Sequence, residues 1–123
     1  MKIIVPGEPV AKGRPRMTRN GHVYTPQKTR DYENRIKHCF YTQGGEKLNG
    51  PIELIMNAYF TMPKNAKRYM CRRPDIDNIV KTIDALNGIA FDDDRQIIKV
   101  TAEKFFSVEP RLEIELKEMG DTE

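Results

Sequence analysis

At 123 residues the chain has room for one domain with a modest core. Charged residues make up 32% and apolar residues 38%, with no tryptophan, which excludes a fibrous or disordered chain, and no apolar run is long enough to span a membrane. The net charge is only +3 but is unevenly spread, with six Lys or Arg and no acid between Glu8 and Asp31 and an unbroken acidic triplet at Asp92, Asp93 and Asp94, a segregation that suits a polyanionic partner better than an evenly solvated surface.

The opening stretch "MKIIVPGEPV" holds three consecutive aliphatics, Ile3 to Val5, too few for a secretory signal, so a cytoplasmic location is expected. Cys39 and Cys71 are then expected to remain thiols, and two cysteines are too few for a structural zinc site. "KIIV" reads as a short buried strand ended by Pro6, Gly7 and Pro9. In "KGRPRMTRNGHVYT" the Asn20-Gly21 pair signals a two-residue hairpin turn in a basic ribbon, with Arg14 and Arg16 on one face.

A helix is predicted from Pro26 or Thr29 to Gln43, with Tyr32, Ile36, Cys39 and Phe40 on its inner stripe and Gly44-Gly45 as its stop. Next, "GPIELIMNAYFTM" alternates, placing Ile52, Leu54, Met56, Ala58, Phe60 and Met62 on the core side of a long strand. A basic loop follows, carrying Lys64, Lys67, Arg68, Arg72 and Arg73. Ile76, Ile79, Val80, Ile83 and Leu86 mark a second amphipathic helix that starts around Pro74 to Asp77 and ends at Gly88. "QIIKVTAEKFF" and "RLEIELK", joined by "SVEP", read as an antiparallel pair. The expected fold is a single α/β (α+β) domain over 1–123, with a mixed sheet and two main helices on one side.

The chemistry concentrates in "RRPDIDNIVK". Asp77 and Lys81 are four apart and share a helix face, with Asp75 just before it. Two explanations fit the residues. The acids can be an N-cap and an ordinary helix ion pair, or they can hold a hard divalent cation together with the Asp92 to Asp94 turn, since such a cation takes carboxylate oxygens from two or three side chains. A calcium loop is excluded, because the sixth and twelfth positions counted from Asp75 are Val80 and Leu86. A Pro-Asp…Glu-x-Lys nuclease pattern, nominally met by Pro74-Asp75 and Glu115-Leu116-Lys117, is set aside because "EIELKE" reads as a strand with its charges turned to water.

"RPDIDNIVKTIDALNG" followed by "FDDDRQI" resembles the signature of the RusA Holliday junction resolvases, endonucleases of bacteria and prophages, and "KGRPR" followed by "YTP" resembles their N-terminal part. The resemblance covers about Lys12 to Val100. It implies a RusA-like endonuclease domain acting in DNA recombination and repair, in which Asp75, Asp77 and Asp94 are the essential carboxylates, holding Mg²⁺ or a substituting Mn²⁺, with Asp93 assisting and Lys81 as the essential lysine. Lys12, Arg14, Arg16, Lys67, Arg68, Tyr69, Arg72 and Arg73 are the expected DNA contacts. Branched DNA is the expected substrate and a homodimer the expected assembly, without a membrane or a small-molecule cofactor. In one departure, the members usually have four steps from the lysine to the aspartate of "DALNG", whereas Lys81 to Asp84 is three, so the helix is one residue shorter. The rival expectations are a non-catalytic branched-DNA-binding module and a metal nuclease without junction selectivity.

Overall fold

In the computed structural model, which describes residues 1–65 and 69–120, the sheet is built around β4 (Ile52–Thr61). Along β4, Ile52, Leu54, Met56, Ala58 and Phe60 are buried and alternate with half-buried neighbours, so one face of the strand lies in the core. Flanking it are β5 (Ile97–Ser107), parallel to β4, and β6 (Arg111–Glu118), antiparallel to it. The short β1 (Lys2–Pro6) pairs with the free edge of β6, giving the order β1-β6-β4-β5. Leu112, Ile114 and Leu116 from β6 and Ile3 and Val5 from β1 complete the inner face of the sheet. The result is one compact domain with a mixed four-stranded sheet.

Two helices cover that inner face. In α1 (Gln27–Thr42) the buried residues are Thr29, Tyr32, Ile36, Cys39 and Phe40, the stripe that the helical period marks. Gly44 ends the helix at φ +76°, and a side chain on Gly45 would put its Cβ 2.5 Å from the Phe40 ring, so the Gly-Gly stop is both conformational and steric. The second helix differs from the expected single amphipathic run. It is α-helical only over α2 (Ile76–Val80) and then tightens into a 3-10 helix from Lys81 to Leu86, with Ile79, Ile83 and Leu86 buried throughout.

Three further expectations are corrected. The last two strands do not pair with each other: β4 lies between them, and the Val108 to Pro110 link passes across the end of β4, where the Met62 amide donates to the Ser107 carbonyl. Alternation fixes which side of a strand is apolar but not which neighbour it takes. β4 stops at Thr61 and leaves Met62 44% exposed, because Pro63 cannot continue the ladder. The ribbon of β2 (Arg16–Met17) and β3 (Val23–Tyr24) is not closed by a two-residue Asn-Gly turn. The Thr18 amide donates to the His22 carbonyl around a three-residue loop, and Gly21 but not Asn20 takes a positive φ, whereas the tight turn needs both to do so.

The outer face of the sheet carries charge instead of helices. Arg111 and Lys2 both reach Glu113, Lys99 reaches Glu53, and the Arg111 guanidinium stacks 3.9 Å above the Tyr59 ring. Glu115 and Lys117 alternate with the buried Ile114 and Leu116 on β6, so they face away from the core, as expected for a strand rather than a nuclease motif. No helix of the described residues is long and apolar enough to cross a membrane, and both cysteines are free, Cys39 buried and Cys71 exposed.

Because Leu54 is fully buried on β4, which is flanked by strands on both sides, Leu54→Ala should cost about 2–5 kcal/mol by removing buried methyl groups and leaving a cavity. In urea titrations the unfolding midpoint should fall with an unchanged slope. A change below about 0.5 kcal/mol would mean that β4 is not the core of the sheet.

Candidate active site

The segment ahead of α2 is fastened to the sheet by Lys104 of β5, whose ammonium donates to the carbonyls of Arg72 at 2.7 Å and Pro74 at 2.9 Å. These bonds fix the chain on either side of Arg73, just before Asp75. Asp75 occupies the N-cap position of α2, yet its side chain makes no capping hydrogen bond; its backbone carbonyl accepts from the Asn78 and Ile79 amides instead. Asp77 lies in the first turn, and both it and Lys81 are exposed. Among the described residues the two form no ion pair with each other, so the simple cap-and-ion-pair explanation is not realised in either part.

The change from α to 3-10 winding determines where Asp84 points. Three residues turn about 300° in an α-helix but about 360° in a 3-10 helix, so tighter winding compensates for the shorter spacing and sets Asp84 in line with Lys81 along the helix axis. From Leu86 the chain doubles back. Gly88 turns at φ +76°, Ala90 and Phe91 are completely buried, and the Leu48 amide donates to the Ala90 carbonyl at 2.7 Å. This plug returns the acidic triplet toward the helix it left.

The triplet then divides its work. Asp92 is paired with Lys47. Asp93 caps the 3-10 turn Asp94–Gln96 by accepting from the Arg95 amide at 2.9 Å, while Gln96 reaches back to the amides of Asp92 and Asp93 and donates to the Gly50 carbonyl. Asp94, in the first turn, is exposed. Its pKa is raised, first by the hydrogen-bonding contact with Asp93, then by partial desolvation and by the negative charges of Asp93 and Asp84. Asp93 moves the other way, held low chiefly by the Arg95 amide. The balancing cation is Lys12, whose ammonium lies 2.9 Å from Asp84 Oδ2.

Among the described residues no group of three or more His, Cys, Asp or Glu is placed so that it could hold a metal ion, so Asp75, Asp77 and Asp94 are not gathered into such a group. The donor chemistry nonetheless suits a hard divalent cation, since all the groups are carboxylates.

Asp75 lines a groove of about 780 Å³ together with Arg14, Arg16, Lys28, Arg73 and Asn78. The expected contacts Arg14, Arg16 and Arg73 thus meet Asp75 at one surface. Arg72 and Tyr69 line a separate depression of about 470 Å³ with Lys64, where Arg72 lies 5.9 Å from the Phe106 ring centre and Tyr69 packs against Phe105. Lys67 and Arg68 fall outside the described residues. Lys12 does not line the groove; it is drawn to Asp84.

The sequence reading missed Gln96, Lys104, Lys28 and the role of Asp84. Gln96 had a legible signal, since Asp93 and Gln96 stand at capping-box spacing. The roles of Lys104 and Asp84 had none, because their partners are distant in the chain.

Because neighbouring carboxylates raise the pKa of Asp94, Asp94→Asn should raise the melting temperature of the cation-free protein at pH 7. The sign follows from linkage: a carboxyl with a raised folded-state pKa binds more protons folded than unfolded, so its cost grows as pH rises past the ordinary aspartate range and vanishes below it. The gain should therefore shrink toward acid pH. A lower melting temperature at pH 7 would contradict the crowding.

The chain matches the family model described as Endodeoxyribonuclease RusA over residues 6–117. It is 34% identical to YqaN of Bacillus subtilis (strain 168) over 138 aligned positions, covering 98% of this chain and 97% of that protein. A crossover junction endodeoxyribonuclease rusA of Lactococcus phage r1t is 28% identical over 91 positions, covering 71% of this chain and 65% of the phage protein. With Asp75 set in an arginine-lined groove, and a family match that runs through nearly the whole fold, the chain belongs to the RusA endodeoxyribonuclease family.

Proposed function

We propose that this endonuclease is a Mg²⁺-dependent resolvase of four-way DNA junctions, with Mn²⁺ able to substitute, which cuts two strands of like polarity at symmetric positions. The observation that carries the reading is the meeting of Asp75 with Arg14, Arg16 and Arg73 in one groove. Phosphodiester hydrolysis needs both signs of charge, one to hold the polyanion and one to hold the cation that offsets charge at the reacting phosphate.

In this reading Asp75, Asp77 and Asp94 hold the cation, Asp93 assists with the oxygen not occupied by its cap, and Asp84 stands beside Asp94 as part of the same negative field. A bound divalent ion supplies Lewis-acid neutralisation of the phosphate. Lys81, exposed in the first turn of the 3-10 helix, donates to the phosphoryl oxygens as they gain charge. Arg14, Arg16, Lys28 and Arg73 hold flanking phosphates and set the register of the strand in the groove. Arg72, with Lys67, Arg68 and Tyr69 of the same loop, extends that contact toward the branch point. One active site per chain requires two chains for two nicks, and a two-fold homodimer places identical sites about the axis relating the cut strands.

A non-catalytic junction-binding module is favoured by one observation, the lack of a three-residue metal-holding group among the described residues. Turnover separates the two. Labelled four-way junction and linear duplex should be incubated with Mg²⁺ or with chelator. Paired nicks in the junction alone, and only with the cation, are expected; binding without nicking would establish the module, and equal cutting of linear duplex would remove junction selectivity.

Asp75→Asn and Asp77→Asn should abolish nicking while junction binding persists or tightens, since each removes negative charge facing phosphate. Lys81→Ala should lower turnover by about 10²–10³-fold, the usual loss for one donor to a developing oxyanion. Near-normal turnover by that variant would take Lys81 out of the site, and loss of binding by both aspartate variants would make the acids structural.

A further inference from the structure

Arg72 and Arg73 are adjacent in the chain but line different cavities. Arg73 lines the groove that holds Asp75, and Arg72 lines the separate depression of about 470 Å³. That volume falls within the roughly 300–1,000 Å³ of small-molecule sites. The depression lies at the C-terminal ends of the parallel strands β4 and β5. Its walls include Pro63 and Lys64, which follow β4, Phe106 near the end of β5, and Tyr69, Cys71 and Arg72. The last three are mounted on the sheet: Tyr69 bridges to Phe105, and the amide of the buried Met70 donates to the Lys104 carbonyl at 3.4 Å. Two arginines of this sheet face aromatic rings. Arg111 closes on Tyr59 at 3.9 Å, whereas Arg72 stands 5.9 Å from the Phe106 ring centre. The first stack is filled. The second is only about 1 Å short of the two layers of ~3.5 Å that a flat ring between guanidinium and phenyl requires, and Arg72 is exposed.

We propose that this depression receives an unpaired nucleobase of the branched DNA, stacked on the aromatic wall of Tyr69 and Phe106, with Lys64 and Arg72 at the rim holding its phosphates. Every base has a π face, so such a wall accepts any base, and the cations at the rim match the charge of the strand. Continuity with the groove favours DNA as the occupant. The Cα atoms of Arg72 and Arg73 are about 3.8 Å apart, and Lys104 holds the carbonyls of Arg72 and Pro74, so a strand whose phosphate lies at Arg73 reaches the rim of the depression. A linear duplex has no free base to insert, whereas a branch point has, so an occupied depression distinguishes the two substrates.

The inference rests on the resolvase reading above, and working in chelator reads binding without cleavage. Cys71 reports occupancy, because it is exposed in the wall while Cys39 is buried. Alkylation of Cys71 by iodoacetamide should slow at least 5-fold when the wild-type protein is saturated with a four-way junction. It should keep its free rate with linear duplex and with a junction whose branch-point nucleotides are abasic. Tyr69→Ala, and Phe106→Leu, which keeps an apolar side chain but removes the ring, should each weaken junction binding by at least about 5-fold, the low end for one base on an aromatic ring. Binding of linear duplex should change less than 2-fold. The abasic junction should bind the wild type more weakly, with no further loss in Tyr69→Ala. Unslowed alkylation in the junction complex, protection that persists with the abasic junction, or equal losses on junction and duplex would overturn the proposal. Nicking of junctions with Mg²⁺ by a protein whose Cys71 stays unprotected would overturn the base site and leave the resolvase reading standing. Junction-selective protection without nicking would support the base site and remove the catalysis.

Discussion

Neighbouring carboxylates repel unless a cation or a proton lies between them, and Asp93 and Asp84 together raise the pKa of Asp94. Much of the local architecture serves to maintain that arrangement. The 3-10 winding after Val80 aims Asp84, the buried Ala90 and Phe91 return the chain, and the capping box of Asp93 and Gln96 makes the final turn rigid.

The sheet provides the rigidity. β5 follows directly from the Asp94–Gln96 turn and runs alongside the most buried strand of the molecule, so the acid is mounted on an element that cannot easily shift. From the same strand, Lys104 pins the carbonyls on either side of Arg73, tying the entry of α2 to the same support. The two acidic segments thus have one scaffold although some twenty residues separate them in the chain. The basic ribbon is attached differently, through Lys12 and Gly13 to the helices, and its strands are only two residues long, so its position depends on that root.

What the sequence made legible was whatever follows a local period. The α1 stripe from Tyr32 to Phe40 and the alternation from Ile52 to Phe60 were readable because burial repeats every three to four or every two residues. Pairing was not readable: "QIIKVTAEKFF" and "RLEIELK" look like a hairpin, yet the Ile52–Thr61 strand lies between them, since periodicity says nothing of neighbours. The change to 3-10 winding at Lys81 was hidden for a similar reason, because Ile79, Ile83 and Leu86 suit either helix. At the site, the D-x-D pair and the acidic triplet stood out by composition. The ion pair of Lys12 with Asp84 spans 72 residues and was invisible, so Lys12 read as one more basic residue of the ribbon.

The central physical claim is that the crowding at Asp94 is completed by a divalent cation. Calorimetric titration of the DNA-free protein with Mn²⁺ tests it most directly, because Mn²⁺ takes the same oxygen ligands as Mg²⁺. The wild-type protein should bind the ion saturably, more tightly as pH rises through the titration of Asp94, and Asp94→Asn should weaken binding at least 10-fold. Equal Mn²⁺ affinity in the two proteins, or no saturable binding in either, would contradict it.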